Sequence, residues 1–272
     1  MEYETRSGTE VPVIGLGTWQ MDTYTAYESV ATGLELGYRH IDTAQAYGNE
    51  FGVGRAIADA EVNREDIFLT TKVLPTHRSV DAIVTSVEES VEKLGVDAVD
   101  LLLIHWPNPL ADLETVMEGL NTAIDRGLTH HIGVSNFGKD RLDRAQELSE
   151  APIFTNQVLF HCWWPQRDLL KYCQEEDILL TAYSPLANGA AIGDPLLSEI
   201  GERYEKSGAQ TELRWVTQHA NVVTIPMSTS RAHLQQNLDI FDFRLSREEH
   251  DRITRPSTLQ TGLSMLRSQV GL

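Results

Sequence analysis

The sequence predicts a (β/α)8 TIM barrel with an N-terminal β-hairpin. Three observations carry this: eight apolar strand-like runs, helix-period segments alternating with them, and ionisable side chains gathered just past the strand ends. A doubly wound sheet is the competing α/β architecture, and it normally shows a Gly-rich dinucleotide fingerprint after an early strand. Gly15-Leu16-Gly17 lacks the third glycine and runs on to Trp19, which favours the barrel. The 272 residues, 41% of them hydrophobic, suffice for one large core, so residues 1–272 are expected to form a single barrel domain.

Taken in order, Tyr3–Arg6, the Ser7-Gly8 turn and residues 10–14 make the hairpin. Residues 13–19 read as the first barrel strand, entering a Gly-bearing turn. Tyr27, Val30, Ala31, Leu34 and Leu36 keep helical period until Gly37 stops them. The second strand runs into Asp42, and residues 51–60 look helical. Residues 67–73 are the third strand, and Val80–Leu94 is a helix with Ile83, Val87 and Val91 on one face. Val99–Ile104 is nearly all apolar, as a parallel strand buried on both faces should be. The alternation continues with a helix over Leu113–Asp125, strand 131–135, helix 140–148, strand 153–157, helix 168–176 and strand 178–183. A helix falls within 196–217, the eighth strand is 222–225, and a final helix is expected over 231–241.

Forty acidic against 22 basic residues give a net charge of −18, and only five of the cations are lysines. Nucleic-acid and anionic-membrane partners both need a basic face, so neither is expected. No apolar run approaches the roughly 20 residues of a membrane span. The acidic N-terminus has no signal-like apolar core, and Cys162 and Cys173 make no disulfide framework, so a cytoplasmic protein is expected; its state is expected to be a monomer. A surface this acidic and lysine-poor also suits solubility at high salt, a halophilic trait.

In a TIM barrel the active site forms where strands run out into their βα loops. Collecting polar groups there gives Asp42 and Tyr47 after strand two, Lys72 at the end of strand three and His105 after strand four. Strands five to seven add Ser135, Asn136, Asn156, Gln157 and Tyr183. Each alone has a bland reading: Lys72 a surface lysine, His105 a core histidine, Asp42 with Lys72 a structural ion pair. Together a carboxylate, a phenol, an ammonium and an imidazole describe a proton donor. The ammonium should favour the phenolate and lower the phenol's pKa, the carboxylate should hold the ammonium, and the imidazole should orient a carbonyl oxygen. The nine histidines show no metal-ligand spacing, so no metal is expected.

Gly37-Tyr38-Arg39-His40-Ile41-Asp42-Thr43-Ala44, Leu102-Leu103-Ile104-His105-Trp106-Pro107, Gly133-Val134-Ser135-Asn136-Phe137 and Ile225-Pro226, in that order, resemble the aldo-keto reductases, and the likeness runs from Gly15 to about Leu245. The resemblance extends to the small aldehyde and diketogluconate reductases. It implies a (β/α)8 barrel that reduces aldehydes and ketones with NAD(P)H. Carried over motif by motif, Asp42, Tyr47, Lys72 and His105 match the catalytic tetrad, with Tyr47 the general acid. Ser135, Asn136 and Gln157 match the residues that hold the nicotinamide carboxamide, and Tyr183 the aromatic stacked on the nicotinamide ring. Ser184 and Leu186 match the start of the pyrophosphate loop. Ser228, Arg231 and Asn237 are the candidates at the adenosine end, and Trp19 and Trp106, with His105, those for the substrate.

The adenosine end departs from the family pattern, in which a Lys follows Ile-Pro and an Arg follows a few residues later to hold the 2′-phosphate of NADPH. Here those positions are Met227 and His233, leaving Ser228, Thr229, Ser230 and Arg231 at the start of the last helix. NADP(H) is favoured because the family favours it, with NAD(H) the alternative. Trp163 and Trp164 also fall near strand-end loops, and Cys162 stands where the family often has a proline. Short loops suit an open pocket for small aldehydes, 2-oxoaldehydes or sugar-derived carbonyls, so the expected partner is a small carbonyl substrate. Two other classes remain open: a non-catalytic, redox-sensing NADP(H)-binding barrel, and a metal-dependent hydrolase.

Overall fold

The computed structural model describes residues 2–108 and 110–256. Eight parallel strands form one sheet: β3 (Leu16–Gly17), β4 (His40–Asp42), β5 (Phe68–Val73), β6 (Val99–Ile104), β7 (Thr129–Ser135), β8 (Ile153–Leu159), β9 (Leu179–Tyr183) and β10 (Val222–Thr224). Each pairs with its neighbour in chain order. Ile14 bridges Thr224 in parallel, and the Gly17 N–H donates to the Pro226 carbonyl at 3.1 Å, so the first strand meets the last and the sheet closes. Gly17 has to be glycine for this closure. A Cβ there would lie 2.7 Å from the Ile225 carbonyl oxygen.

Before the barrel, β1 (Tyr3–Arg6) and β2 (Thr9–Pro12) pair antiparallel. Ser7 and Gly8 both have positive φ, at 49° and 80°. That geometry matches the twist of a two-residue hairpin. The hairpin is tied to the barrel by Thr9 Oγ1, 2.9 Å from His131 Nε2, and by an Arg6–Asp177 ion pair.

The helices α1 (Thr23–Leu36), α2 (Glu50–Asp59), α3 (Val80–Leu94), α4 (Leu113–Asp125), α5 (Lys139–Leu148) and α6 (Arg167–Glu175) follow the predicted order. Their apolar faces and the outward strand residues form the main core, which includes Leu34, Ile41, Leu69, Val87, Leu102, Leu120 and Ile132. At the C-terminal side the prediction needs two corrections. Residues 196–217 form two helices, α7 (Pro195–Glu202) and α8 (Gly208–Thr217). Glu205 sits between them at φ 59°, and Ser207 and Gln210 make a reciprocal capping box that starts α8 afresh. The helix expected to be last, α9, stops at Leu238 (Arg231–Leu238), and α10 (Arg247–Ile253) follows behind its own Ser246–Glu249 capping box.

Candidate active site

The tetrad is assembled from three strand ends. Asp42 closes β4, Lys72 is the penultimate residue of β5, and the His105 N–H donates to the Val73 carbonyl at 3.1 Å as the chain leaves β6. Tyr47 ends a single 3-10 turn, 45–47, that Gly48 terminates at φ 66°. This turn is held from both sides. Gln45 Oε1 accepts the Leu74 N–H at 2.9 Å, and its Nε2 donates to Ser86 and Ser90 of α3. The buried Asn49 accepts from Thr43 Oγ1 and donates to the Thr18 and Met21 carbonyls.

Lys72 Nζ is the hub. It lies 2.5 Å from Asp42 Oδ1, 2.9 Å from the Thr43 carbonyl oxygen and 3.2 Å from the Tyr47 hydroxyl. Its three N–H groups therefore have three acceptors, as a buried ammonium requires. The second Asp42 oxygen, Oδ2, accepts from Gln157 Nε2 at 2.8 Å. The ion pair is almost wholly buried, with side-chain exposures of 1% and 2%. The Tyr47 and His105 rings meet edge to face, 5.5 Å between centroids.

Burial sets the protonation states. Desolvation alone would pull the Lys72 ammonium down, but Asp42 and Tyr47 outweigh it and hold the pKa above the ordinary lysine value. For Tyr47 the expectation of a lowered phenol pKa is overturned. Desolvation, the largest influence, and the Asp42 charge together outweigh the pull of the Lys72 ammonium, so the phenol keeps its proton at neutral pH. Desolvation, reinforced by Lys72, takes His105 down to about 3, so its imidazole is neutral. The group is thus poised as a proton donor beside a neutral hydrogen-bonding ring.

Above the tetrad opens a cavity of about 510 Å³. Asp42, Tyr47 and His105 form its floor, and Trp19 and Trp106 stand on its wall. Ser135, Asn136, Gln157, Tyr183, Ser184 and Leu186 line it as well. Ser135 Oγ is buried with no hydrogen-bond partner among the described residues, so it is a free polar group on the cavity wall that a carboxamide would satisfy. Asn136, at φ 59°, accepts from the Tyr183 hydroxyl at 3.1 Å, which fixes the ring that borders the cavity. Asn156 lies beneath rather than in the cavity. Its amide closes onto the Phe137 backbone, donating at 2.9 Å and accepting at 3.3 Å, and so pins the 135–137 loop.

The predicted adenosine-end residues lie off this wall. Ser228 is buried and its Oγ accepts the Ser230 N–H at 3.2 Å. Asn237 is buried one helical turn from Leu234, whose carbonyl accepts the Tyr38 hydroxyl at 3.0 Å. Arg231 is on the surface, ion-paired to Glu35. Met227, 41% exposed, forms the cavity edge on this side. Trp163 and Trp164 do not line the cavity. Trp163 is buried under Arg255, whose guanidinium carbon is 5.5 Å from its ring centroid. Sequence reasoning missed the far wall, Pro185, Asn188, Gly189 and Ile192 of the loop after β9, and Gln20 beside Trp19. Loops carry no period that would have marked them. Among the described residues no cluster of His, Cys, Asp or Glu could hold a metal ion.

A parallel barrel whose strand ends hold an ion-paired lysine against a protonated tyrosine, under a cavity with an unpartnered serine hydroxyl on its wall, fits an oxidoreductase. The comparisons name the family. The Aldo/keto reductase family profile matches residues 13–257, and the chain belongs to that family of NAD(P)H-dependent oxidoreductases. It is 40% identical over 248 residues to the glyoxal reductase of Bacillus subtilis, covering 91% of this chain and 89% of that one. It is 36% identical over 261 residues to the methylglyoxal reductase DkgB of Escherichia coli O157:H7, covering 92% and 97%. Among solved structures, a putative 2,5-diketo-D-gluconic acid reductase B superposes with a TM-score of 0.91 at 41% identity, covering 93% and 90%. Carbonyl reduction is the reaction these relatives support.

Proposed function

We propose that the protein reduces small aldehydes, ketones and 2-oxoaldehydes to alcohols, with Tyr47 as general acid. NADP(H) is favoured only weakly as its cofactor, with NAD(H) also accepted. The reading rests on one observation above all: Lys72 Nζ reaches both Asp42 and the Tyr47 hydroxyl inside a buried, otherwise satisfied network. The bound nicotinamide supplies the hydride. What the protein contributes is proton delivery and positioning. Tyr47 enters turnover protonated because burial raises its pKa. When the proton leaves, the phenolate forms 3.2 Å from a fixed ammonium, which stabilises it without reorganisation. Asp42 keeps that ammonium charged and aimed. Neutral His105 donates to the carbonyl oxygen without competing to protonate it.

Ser135, Asn136 and Gln157 would hold the carboxamide, with Tyr183 against the ring face and Ser184 and Leu186 along the pyrophosphate. Gln157 has a second duty, because its Nε2 steadies Asp42 and leaves its oxygen for the cofactor. Trp19 and Trp106 form an aromatic wall that suits compact carbonyls, in keeping with the glyoxal and methylglyoxal named for the relatives.

Tyr47→Phe tests the assignment. Removing a general acid costs roughly 10²- to 10⁴-fold in turnover. The variant should still bind the cofactor, read by quenching of protein fluorescence, and an unchanged kcat would refute the role. Consumption of NADPH by the wild-type protein with a panel of aldehydes separates the enzyme from a non-catalytic redox-sensing barrel.

A further inference from the structure

Ile225, Pro226 and Met227 line the edge of the cavity, and three residues after Met227 the chain reaches Ser230, the cap of α9, so the start of that helix adjoins the barrel mouth along the chain. Hydroxyls crowd there: Ser230 caps the helix, and Ser228 braces Ser230. Arg231 is the only Lys or Arg in residues 225–238. Its guanidinium is already taken. Nη1 lies 2.7 Å from Glu35 Oε2 and Nη2 lies 2.8 Å from Oε1, a two-point pair reaching from α9 across to α1. Both side chains are more than half exposed, at 54% and 65%, so the pair competes openly with anything anionic in solvent.

Resting on the dinucleotide reading above, we propose that Glu35 is a specificity-determining residue for the nucleotide: by holding Arg231 against α1 it withholds that guanidinium from a ribose 2′-phosphate. A carboxylate and a phosphate ask for the same planar fork of donors, so the guanidinium serves one two-point partner at a time. Glu35 also keeps a negative charge at the place where a second anion would settle. Met227 and His233 add no fixed cation to compensate. The protein therefore discriminates weakly between nucleotides with and without the 2′-phosphate, and Glu35 keeps that ratio low. A 2′-hydroxyl has no such competitor, so binding of the unphosphorylated nucleotide does not depend on Glu35.

The test is direct binding, measured by calorimetry with 2′,5′-ADP and 5′-ADP on the wild type, Glu35→Gln, Arg231→Gln and the double variant. An exposed pair is weak, so freeing Arg231 should tighten 2′,5′-ADP about 3- to 10-fold in Glu35→Gln, with 5′-ADP moving less than about twofold. The gain should shrink in the Arg231→Gln background, which shows that Glu35 acts through Arg231. The ratio of kcat/KM for NADPH over NADH should rise in parallel. A Glu35→Gln protein with an unchanged ratio of the two dissociation constants overturns the proposal, as does an equal gain with Arg231 removed. Were neither nucleotide to bind the wild type, the dinucleotide reading itself would fall. If both bind and only the Glu35 effect is missing, that reading stands and the proposal alone is lost.

Discussion

The barrel buries Lys72 and Glu212 completely, and treats them in opposite ways. Lys72 is matched: its ammonium meets the Asp42 carboxylate, the Thr43 carbonyl and the Tyr47 hydroxyl, and burial leaves it charged. Glu212, fully buried on α8, is only half matched. One carboxylate oxygen accepts the Cys162 N–H at 2.8 Å, and the other has no partner among the described residues. Desolvation raises Glu212 to about 7, against the pull of the Cys162 hydrogen bonds and, more weakly, of Arg255, which is itself committed to Asp194 at 2.9 Å. The contrast teaches what burial does to charge. Where donors are complete the charge is kept and becomes usable chemistry, and where they are incomplete the group takes up a proton.

The largest effect should come from breaking the matched site. Lys72→Met leaves the Asp42 carboxylate buried with only Gln157 to meet it. Removing one member of a buried pair typically costs about 3–5 kcal/mol. Turnover should fall by at least ~10²-fold as well, since the phenolate loses its ammonium. Adding Asp42→Asn to Lys72→Met should return part of the stability and none of the activity, because the uncompensated charge is gone but the proton donor is still unsupported. Urea melts and steady-state rates on the three variants decide this. A Lys72→Met protein within about 1 kcal/mol of wild type would mean the pair is not the buried hub described above.

Glu212→Gln probes the unmatched site, with a smaller effect of definite sign. The folded pKa, about 7, lies above the ordinary 4.5, so the folded protein holds the proton more tightly than the unfolded chain does. That contribution is fully present below pH 4.5 and is lost as pH rises through 7. Above that, wild type carries a desolvated carboxylate that the glutamine variant lacks. The variant should therefore match wild type near pH 4.5 and exceed it by roughly 1–3 kcal/mol at pH 8. Denaturant melts at the two pH values read the difference directly, and a stability gap that does not widen with pH would show that Glu212 is not titrating in this window.

How much of this could be read from the sequence follows from how local each feature is. Val80–Leu94 and Leu113–Asp125 were predicted to the residue because Gly95 stops the first and the apolar period defines the second, which Asp112 caps. The gathering of Asp42, Tyr47, Lys72 and His105 was legible because strand ends are locatable and lysine is scarce, so Lys72 at a barrel mouth stood out. The Tyr47 pKa was misjudged in direction because the ammonium is visible in a motif and the desolvation is not. The α7–α8 break was missed although Ser207 and Gln210 have capping-box spacing, since apolar residues continue across it. The Glu35–Arg231 pair joins residues 196 positions apart, and Cys162–Glu212 joins residues 50 apart. No periodicity reports such pairs, and the first of them bears on the nucleotide.

Both buried sites are shielded from added salt, while the outer surface, with a net charge of −18, is not. This gives the smallest effect and the cleanest separation of interior from exterior. At about 1 M salt the Debye length falls to roughly 3 Å, which screens repulsion among carboxylates and weakens exposed pairs such as Arg55–Asp59 and Arg144–Glu147. Exposed pairs are worth at most about 1 kcal/mol each, and acidic groups outnumber basic ones, so relief of repulsion should dominate. The melting temperature should rise by a few degrees between dilute buffer and about 1 M KCl, ~1 kcal/mol corresponding to ~2–4 °C in a protein of this size. Over the same range the stability difference between wild type and Lys72→Met should hold steady, because that pair is out of reach of solvent ions. A melting temperature that falls with salt would mean that the exposed pairs outweigh the acidic excess, and a Lys72→Met difference that shrinks with it would place the hub closer to solvent than its exposure implies.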